Sequence, residues 1–466
     1  MNLISSKTLQ LKSKIYSLLT HTGFRKYFAN TSWLMAEKVF RTGVTLFVGV
    51  WVARYLGPEQ FGLLSYAQSF VALFTAFATL GLDGIVVREL VKDESRREEL
   101  LGTAFWLKVI GSVAVLLILA VAVNFTSNDK YTNMLVFIIA SATIFQSFNV
   151  IDMYFQAKVL GKYIAFANSL ALFLGSSVKV ALILNHAPLE AFALAVVFDG
   201  FILAIGYVYF YGLSLRAKRS NLHSDIQNAK FSIIPLKFKR QTAVSLLKDS
   251  WPLILSGIVI MIYMRIDQVM IKEMLGAEAV GQYAAAVRIS EAVFFLFPVM
   301  INSMAPAFYN SLKIDNKTIS EKRIKIFYST IFYLCLIWSI FIFIISDKLI
   351  LLLYGHKFSE SISIFKVHVF SNILAFIGGV TNLWYLANGY SNLTFYRTLQ
   401  GAILNIILNC ILINKLGTIG AAIATVLSYF HVAVITMFLS KKTRKNGNLF
   451  ILSLIYPFKV ITFKES

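Results

Sequence analysis

Apolar residues recur along this chain in long uninterrupted runs rather than at alternating positions. Each run is close to the ~20 residues that carry a helix across ~30 Å of hydrocarbon. The period-two alternation of a lipid-facing barrel strand is not seen. The pattern predicts an all-α polytopic membrane protein with about twelve transmembrane helices. Their limits are 32–54, 60–86, 101–124, 131–156, 163–184, 190–213, 250–273, 282–308, 326–346, 364–388, 396–413 and 417–440. "LILLLYG" (Leu349 to Gly355) is apolar but too short to cross alone, and could extend the tenth span.

Polar stretches divide the runs into units. Residues 1–31 read as a basic cytoplasmic tail without the apolar core and cleavage site of a signal peptide. Residues 32–213 and 250–440 form two lobes of six spans. A basic linker, 214–249, joins them, and a basic tail, 441–466, follows. Contact of the linker with anionic lipid headgroups is a secondary reading. The halves resemble each other. In "RYLGPEQFGLLSYA" and "EMLGAEAVGQYAAA", Leu56, Gly57, Glu59, Gly62 and Ala67 recur at a fixed offset as Leu275, Gly276, Glu278, Gly281 and Ala286. A short cousin, "KLGTIGAA", precedes the twelfth span. The pattern predicts a tight turn with a left-handed glycine ending one helix and a glutamate starting the next. Two lobes with an even number of spans point the same way, around a central cavity suited to alternating access.

Composition agrees with a membrane chain: 58% of residues are hydrophobic and 14% charged. Mean hydropathy is +0.70. The net charge of +21 reads as topology charge rather than a nucleic-acid surface. Of 44 lysines and arginines, 31 fall in the tails and every second loop, seven in the alternate loops and six within spans. That asymmetry places both termini in the cytoplasm. The two cysteines, Cys335 and Cys410, lie within spans and read as packing residues. No metal-ligand spacing, cofactor motif or phosphate-loop lysine motif appears.

Charges inside the hydrocarbon are costly and mark candidate sites. Arg41 lies roughly 15 Å into the first span at ~1.5 Å per residue. Glu37 and Lys38 lie nearer the cytoplasm. Lys108 is in span three, Lys179 near the outer end of span five, Asp199 mid-span six, Arg265 and Asp267 in span seven, and Arg288 and Glu291 in span eight. Glu37–Arg41 and Arg288–Glu291 have spacings that share a helix face and can pair locally. Asp83 and Asp152 read as interfacial, and Lys179 as able to snorkel. Arg265 and Asp267, two residues apart, point ~200° from each other. Arg265 is expected to face substrate and Asp267 to organise another cation such as Arg288. A structural interhelical salt bridge is the competing reading. The cations left over, Lys38, Lys108 and Arg265, tilt the cavity toward an anionic ligand, because arginine grips phosphate through a planar fork.

The stretches "NTSWLMAEKVFRTGVTLFVGVWVARYLGPEQFGLLSYAQSF", "TLGLDGIVVREL" and "WPLILSGIVIMIYMRIDQVMIKEMLGAEAVGQYAAAVRISE" resemble the openings of the two halves of Wzx-type polysaccharide flippases. That family shares a superfamily with multidrug-and-toxin extruders and lipid II flippases. The resemblance implies two six-helix lobes around a cavity, with no enzymatic step. It implies movement of an undecaprenyl-diphosphate-linked oligosaccharide across the bacterial inner membrane. Membrane lipids and other polysaccharide-assembly proteins would be its partners. Arg41, Arg265, Asp267 and Arg288 match the family's motif regions. Glu37, Asp199, Asp267 and Glu291 are candidates for proton or ion coupling, or for organising charge. The long basic linker departs from the family's compact one.

A cation-coupled multidrug exporter of the same fold is the alternative. A membrane polymerase or ligase is a third reading. Its only candidate set is His356 with Asp347 or Glu360, in what reads as the longest external loop, 346–363.

Overall fold

The computed structural model describes residues 22–220, 237–312 and 316–455. The first part of the N-terminal tail, the middle of the basic linker (221–236), residues 313–315 and the last part of the C-terminal tail lie outside these residues. Every described regular element is helical. The principal helices are α1 (Thr22–Thr79), α2 (Asp83–Lys92), α3 (Arg97–Ala122), α4 (Lys130–Ser141), α5 (Val150–Ala157), α6 (Gly161–Leu184) and α7 (Leu189–Ser220) in the first half. The second half holds α8 (Arg240–Leu275), α9 (Ala277–Ser290), α10 (Leu296–Leu312), α11 (Lys317–Tyr354), α12 (Ser361–His368), α13 (Ser371–Ala387), α14 (Ser391–Leu416), α15 (Thr418–Phe430), α16 (Thr436–Leu439) and α17 (Arg444–Leu454).

Among the described residues, ten helical stretches are long and apolar enough to cross a membrane. The first, Asn30–Lys92, has 63 residues, enough for more than one crossing at ~20 residues each. It folds back at Gly57–Pro58. Asn30 meets the start of α6 and Gly81 meets Leu253 near the start of α8, whereas Tyr55, next to the bend, bonds the Ala187 carbonyl ahead of α7. The bundle therefore has a termini end and a far end. At the termini end Lys445 of α17 pairs with Glu321 of α11 at 3.2 Å.

The turn glycines are left-handed in φ but not α-like. Gly57 (φ 73, ψ 173) and Gly276 (φ 93, ψ 179) share an extended conformation that is essentially glycine-only. The expected left-handed helical cap is corrected accordingly. The reason is that the next helix begins at once, at Pro58 or Ala277, leaving no room for a longer cap. Gly355 (φ 82, ψ 179) uses the same geometry after α11. The expected external loop 346–363 is corrected too. α11 continues through "LILLLY" to Tyr354, and α12 starts at Ser361, because the apolar run simply prolongs the helix.

The two repeat motifs meet. A Cβ on Gly62 would overlap the Ala277 carbonyl, and one on Gly281 would overlap the Pro58 carbonyl. Pro58 and Ala277 occupy equivalent positions of the two repeats, as do Gly62 and Gly281. The contact is thus reciprocal, the form a two-fold axis between halves imposes. It lies at the far end. At the termini end the first turns of α8 rest on the first half: Arg88 pairs with Asp249 at 2.5 Å and Lys239 with Glu99 at 3.2 Å. Helix α8 therefore leans on both lobes, and the cavity lies along it.

Apolar residues on outward faces follow helical spacing. On α3, Trp106, Ile110, Val113, Leu117 and Val121 are exposed, the stripe expected to meet acyl chains. The C-terminal helix α17 is packed rather than free. Phe450 lies against the Tyr328 ring at 5.5 Å, and Tyr333 donates to the Leu454 carbonyl at 2.6 Å.

Candidate functional site

A cavity of about 300 Å³ lies where α1, α8 and α9 meet. Ser65, Gln68 and Ser69 come from the second arm of α1, Arg265 and Gln268 from α8, and Arg288 from α9. Glu291 joins them at the first residue of a short 3₁₀ segment, Glu291–Phe295. Both halves of the chain contribute, and a buried hydrogen bond ties them: Ser69 Oγ donates to Gln268 Oε1 at 2.8 Å.

Local structure explains why Glu291 is aimed here. The helix loses α geometry after Ser290, which frees a backbone carbonyl. Asn372 Nδ2 donates to the Ser290 carbonyl at 3.1 Å. His368 Nδ1 and Ser290 Oγ lie 2.9 Å apart. The distortion is thus fixed from α12 and α13, at their own break. Arg288, one turn earlier, is held by α1. Its guanidinium carbon lies 5.0 Å from the Phe61 ring centroid, a cation–π contact. Gly49 leaves the space it needs, since a Cβ there would sit 2.6 Å from Arg288 Nη1.

The structure brings together three of the candidate residues, Arg265, Arg288 and Glu291. Arg288 and Glu291 share the cavity without forming the local ion pair their spacing allows. The backbone between them is still α-helical, and Arg288 is drawn instead over the Phe61 ring. Asp267 is absent from the lining. It is buried at 7% exposure, accepts a hydrogen bond from the Tyr283 hydroxyl and one from the Gln268 amide at 2.8 Å. The expectation that it organises Arg288 is corrected: Tyr283 is its partner.

The other charges settle elsewhere. Glu37 and Arg41 pair at 3.1 Å on α1, with Glu37 buried and the Arg41 side chain 45% exposed. They and Lys38 are not among the lining of this cavity. Lys108 is not a loose cation, because its Nζ reaches Asp83 at 2.7 Å. Asp83 is therefore an ion-pair partner and not merely interfacial. Asp199 pairs with Lys179 at 2.5 Å, and Gly175 gives the carboxylate room. Lys179 is thus paired rather than snorkelling. Asp347 pairs with Lys366 at 2.8 Å and is thereby engaged away from any set with His356.

One charge escaped the sequence reading. Arg397 of α14 is buried, donates from Nη2 to the Gly378 carbonyl at 3.0 Å and lies 5.2 Å from the Tyr385 ring centroid. It sits in the first turns of its helix, where a basic residue reads as a loop charge.

Two bundled halves around a charged cavity define a class: a polytopic helical transporter of the multidrug-exporter and lipid-flippase superfamily. Residues 27–312 match the family model for polysaccharide biosynthesis protein, and residues 180–463 that for the lipid II flippase MurJ. The chain belongs to the polysaccharide biosynthesis protein family and shares its second half with the MurJ family.

Solved structures with this fold include an inward-facing multidrug-resistance MATE transporter (TM-score 0.69, 14% identity), aligned over 91% of this chain and 96% of that one. The inward closed form of MurJ aligns with TM-score 0.64 and 15% identity, over 94% of this chain and 92% of that one. An uncharacterized membrane protein of Methanocaldococcus jannaschii is 40% identical over 58 residues, which span 12% of this chain and 14% of that protein.

Proposed function

We propose that this protein flips an undecaprenyl-diphosphate-linked oligosaccharide from the cytoplasmic to the outer leaflet of the bacterial inner membrane. The observation that carries the reading is the pair of guanidiniums, Arg265 and Arg288, facing one inter-lobe cavity with no ion-pair partner among the described residues. Unpaired cations beneath a membrane surface call for an anion. Two planar forks suit a diphosphate. The termini end is then cytoplasmic, in keeping with the lysine and arginine asymmetry. The headgroup enters from that end past Lys38 and the exposed side chain of Arg41. The prenyl tail stays in lipid. Separation of the far-end contact releases the headgroup outward. Glu291 is the carboxylate best placed for ion coupling, since Glu37, Asp199 and Asp267 each have a partner.

The test is transport of a fluorescent prenyl-diphosphate oligosaccharide in proteoliposomes carrying Arg265→Ala or Arg288→Ala. Each is expected to lose at least ~10-fold in rate, since a hydrogen bond to a charged group is worth about 1.5–3 kcal/mol. Lysine at either position is expected to recover part of it. Wild-type rates in both alanine variants, with export of a cationic drug lost, would point to the multidrug reading instead.

A further inference from the structure

Arg397 takes no part in the inter-lobe cavity. Tyr263 of α8 faces it, whereas Arg265, two residues on, lines that cavity. Residues so spaced point ~200° apart on a helix. Helix α8 therefore stands between the two, and Arg397 lies inside the second lobe. Its depth follows from the fold. Lys442, just ahead of α17, lies 5.9 Å from the Tyr390 ring centroid, which puts the start of α14 at the termini end. Arg397 is then about 9 Å further in, at ~1.5 Å per residue from Ser391.

Arg397 is only 7% exposed. A guanidinium has five N–H donors and cannot shed its charge. Here the Gly378 carbonyl takes Nη2, while Nε and Nη1 are buried without a partner. The titratable groups that face it are Tyr263, Tyr328 of α11 and Tyr385 of α13. All three are neutral phenols, so the described residues bring no carboxylate to it. The Tyr385 ring on one face offsets only part of the cost of burying a charge. The free donors and the uncompensated charge together call for one negative charge that the side chains do not supply.

The walls set its size. Asn446 Nδ2 donates to the Tyr328 hydroxyl at 2.9 Å, which fixes that ring. One turn deeper on α14, a Cβ on Gly401 would lie 2.2 Å from Val432 Cγ2 and 3.0 Å from Tyr263 Cε2. The Tyr263 and Tyr429 rings stack at 4.8 Å. Walls held this tightly suit a single-atom ion rather than a phosphate or a sugar acid. One guanidinium also matches one negative charge, not two.

We infer that the second lobe holds a chloride ion at Arg397, on the donors that Gly378 leaves free. The ion lets a charged guanidinium stay inside the lobe, between α13 and α14. It is a structural ligand of that lobe and not a transported species. The inference stands whichever substrate the inter-lobe cavity takes.

The experiment uses the full chain, purified in detergent in sodium gluconate and titrated with sodium chloride at constant ionic strength. Saturable binding of radioactive chloride is expected, with a rise in Tm of about 2–4 °C. Bromide should replace chloride, and its anomalous scattering in crystals should place it within hydrogen-bond distance of Arg397. Inorganic phosphate and acetate should give no such rise. Arg397→Gln is expected to lose the binding and the Tm response. Arg265→Ala and Arg288→Ala are expected to keep both. A wild type without saturable chloride binding overturns the inference. So does binding that survives in Arg397→Gln, or that disappears in Arg265→Ala or Arg288→Ala, since the ion then belongs to the inter-lobe cavity. Equal stabilisation by phosphate overturns the assignment to a single-atom ion. If Arg397→Gln does not fold, the bromide position decides, and bromide found only elsewhere overturns the inference.

Discussion

Arg288 is oriented by two residues of the other half, Phe61 and Gly49. The glycine matters because an added methyl meets the mobile end of a side chain, not backbone. Gly49→Ala is therefore expected to cost at most a few-fold in transport, because Nη1 can move aside by a fraction of an ångström. Gly49→Val fills the space and is expected to cost ~10-fold or more in apparent substrate affinity, with thermal stability nearly unchanged. Fluorescent-substrate binding on both variants checks the graded response. A second expectation concerns Asp267. Tyr283→Phe removes a phenol donor from a buried carboxylate, which should destabilise the fold by about 1–3 kcal/mol, read as a lower Tm in detergent. Helical angles alone show that Arg265 and Asp267 face different neighbours. They do not show which one faces the cavity, because Asp267's partner lies on the next helix and the cavity needs the other half of the chain. For the same reason Lys108 looked unpaired: its acid, Asp83, is 25 residues away and lies beyond a turn.

Among the elements, the repeated Leu-Gly-x-Glu turn carried most of the legible architecture. Its spacing correctly indicates matching short turns in the two halves. It is silent on the fact that the turns pack against each other, since that follows from docking and not from local sequence. Gly62 and Gly281 are crossing points where backbone meets backbone, so the neighbour cannot yield as a side chain would. Gly62→Ala is expected to cost about 1–3 kcal/mol in the far-end contact and to lower transport by ~5-fold or more. Purified protein should remain monodisperse, because each lobe keeps its own core. A variant with wild-type transport would mean that the two arms need not meet there during the cycle. The span limits were less legible where an apolar run outlasts the bilayer, as in α11. Apolar length fixes that a helix crosses, not where it stops.

For the whole molecule, transport as proposed requires the far end to open. Polar and aromatic contacts also cross the halves there. The Ser127 amide donates to Glu273 Oε2 at 2.9 Å. Lys272 Nζ donates to Asn128 Oδ1 at 2.5 Å. The rings of Phe61 and Phe358 stand 6.2 Å apart edge to face. The Ser127–Glu273 bond is exposed and worth little by itself, whereas the Lys272 side chain is largely buried. Buried apolar residues of both halves, among them Leu56, Phe61, Val280 and Phe358, also join in one cluster there, so opening must part an apolar seam as well as the glycine crossing. A cysteine pair at Ser127 and Glu273, with Cys335 and Cys410 replaced by serine, would be joined by a short thiol-reactive linker containing a disulfide. The joined protein is expected to bind substrate but lose at least ~90% of its flipping rate, in line with the rigid-body rocking of two bundles. Reduction of the linker should restore the rate. Each single cysteine treated with the same reagent should flip normally, which separates locking from chemical damage. If the joined protein flips at the unjoined rate, the far end does not open, and the headgroup must leave along the side of α1 instead.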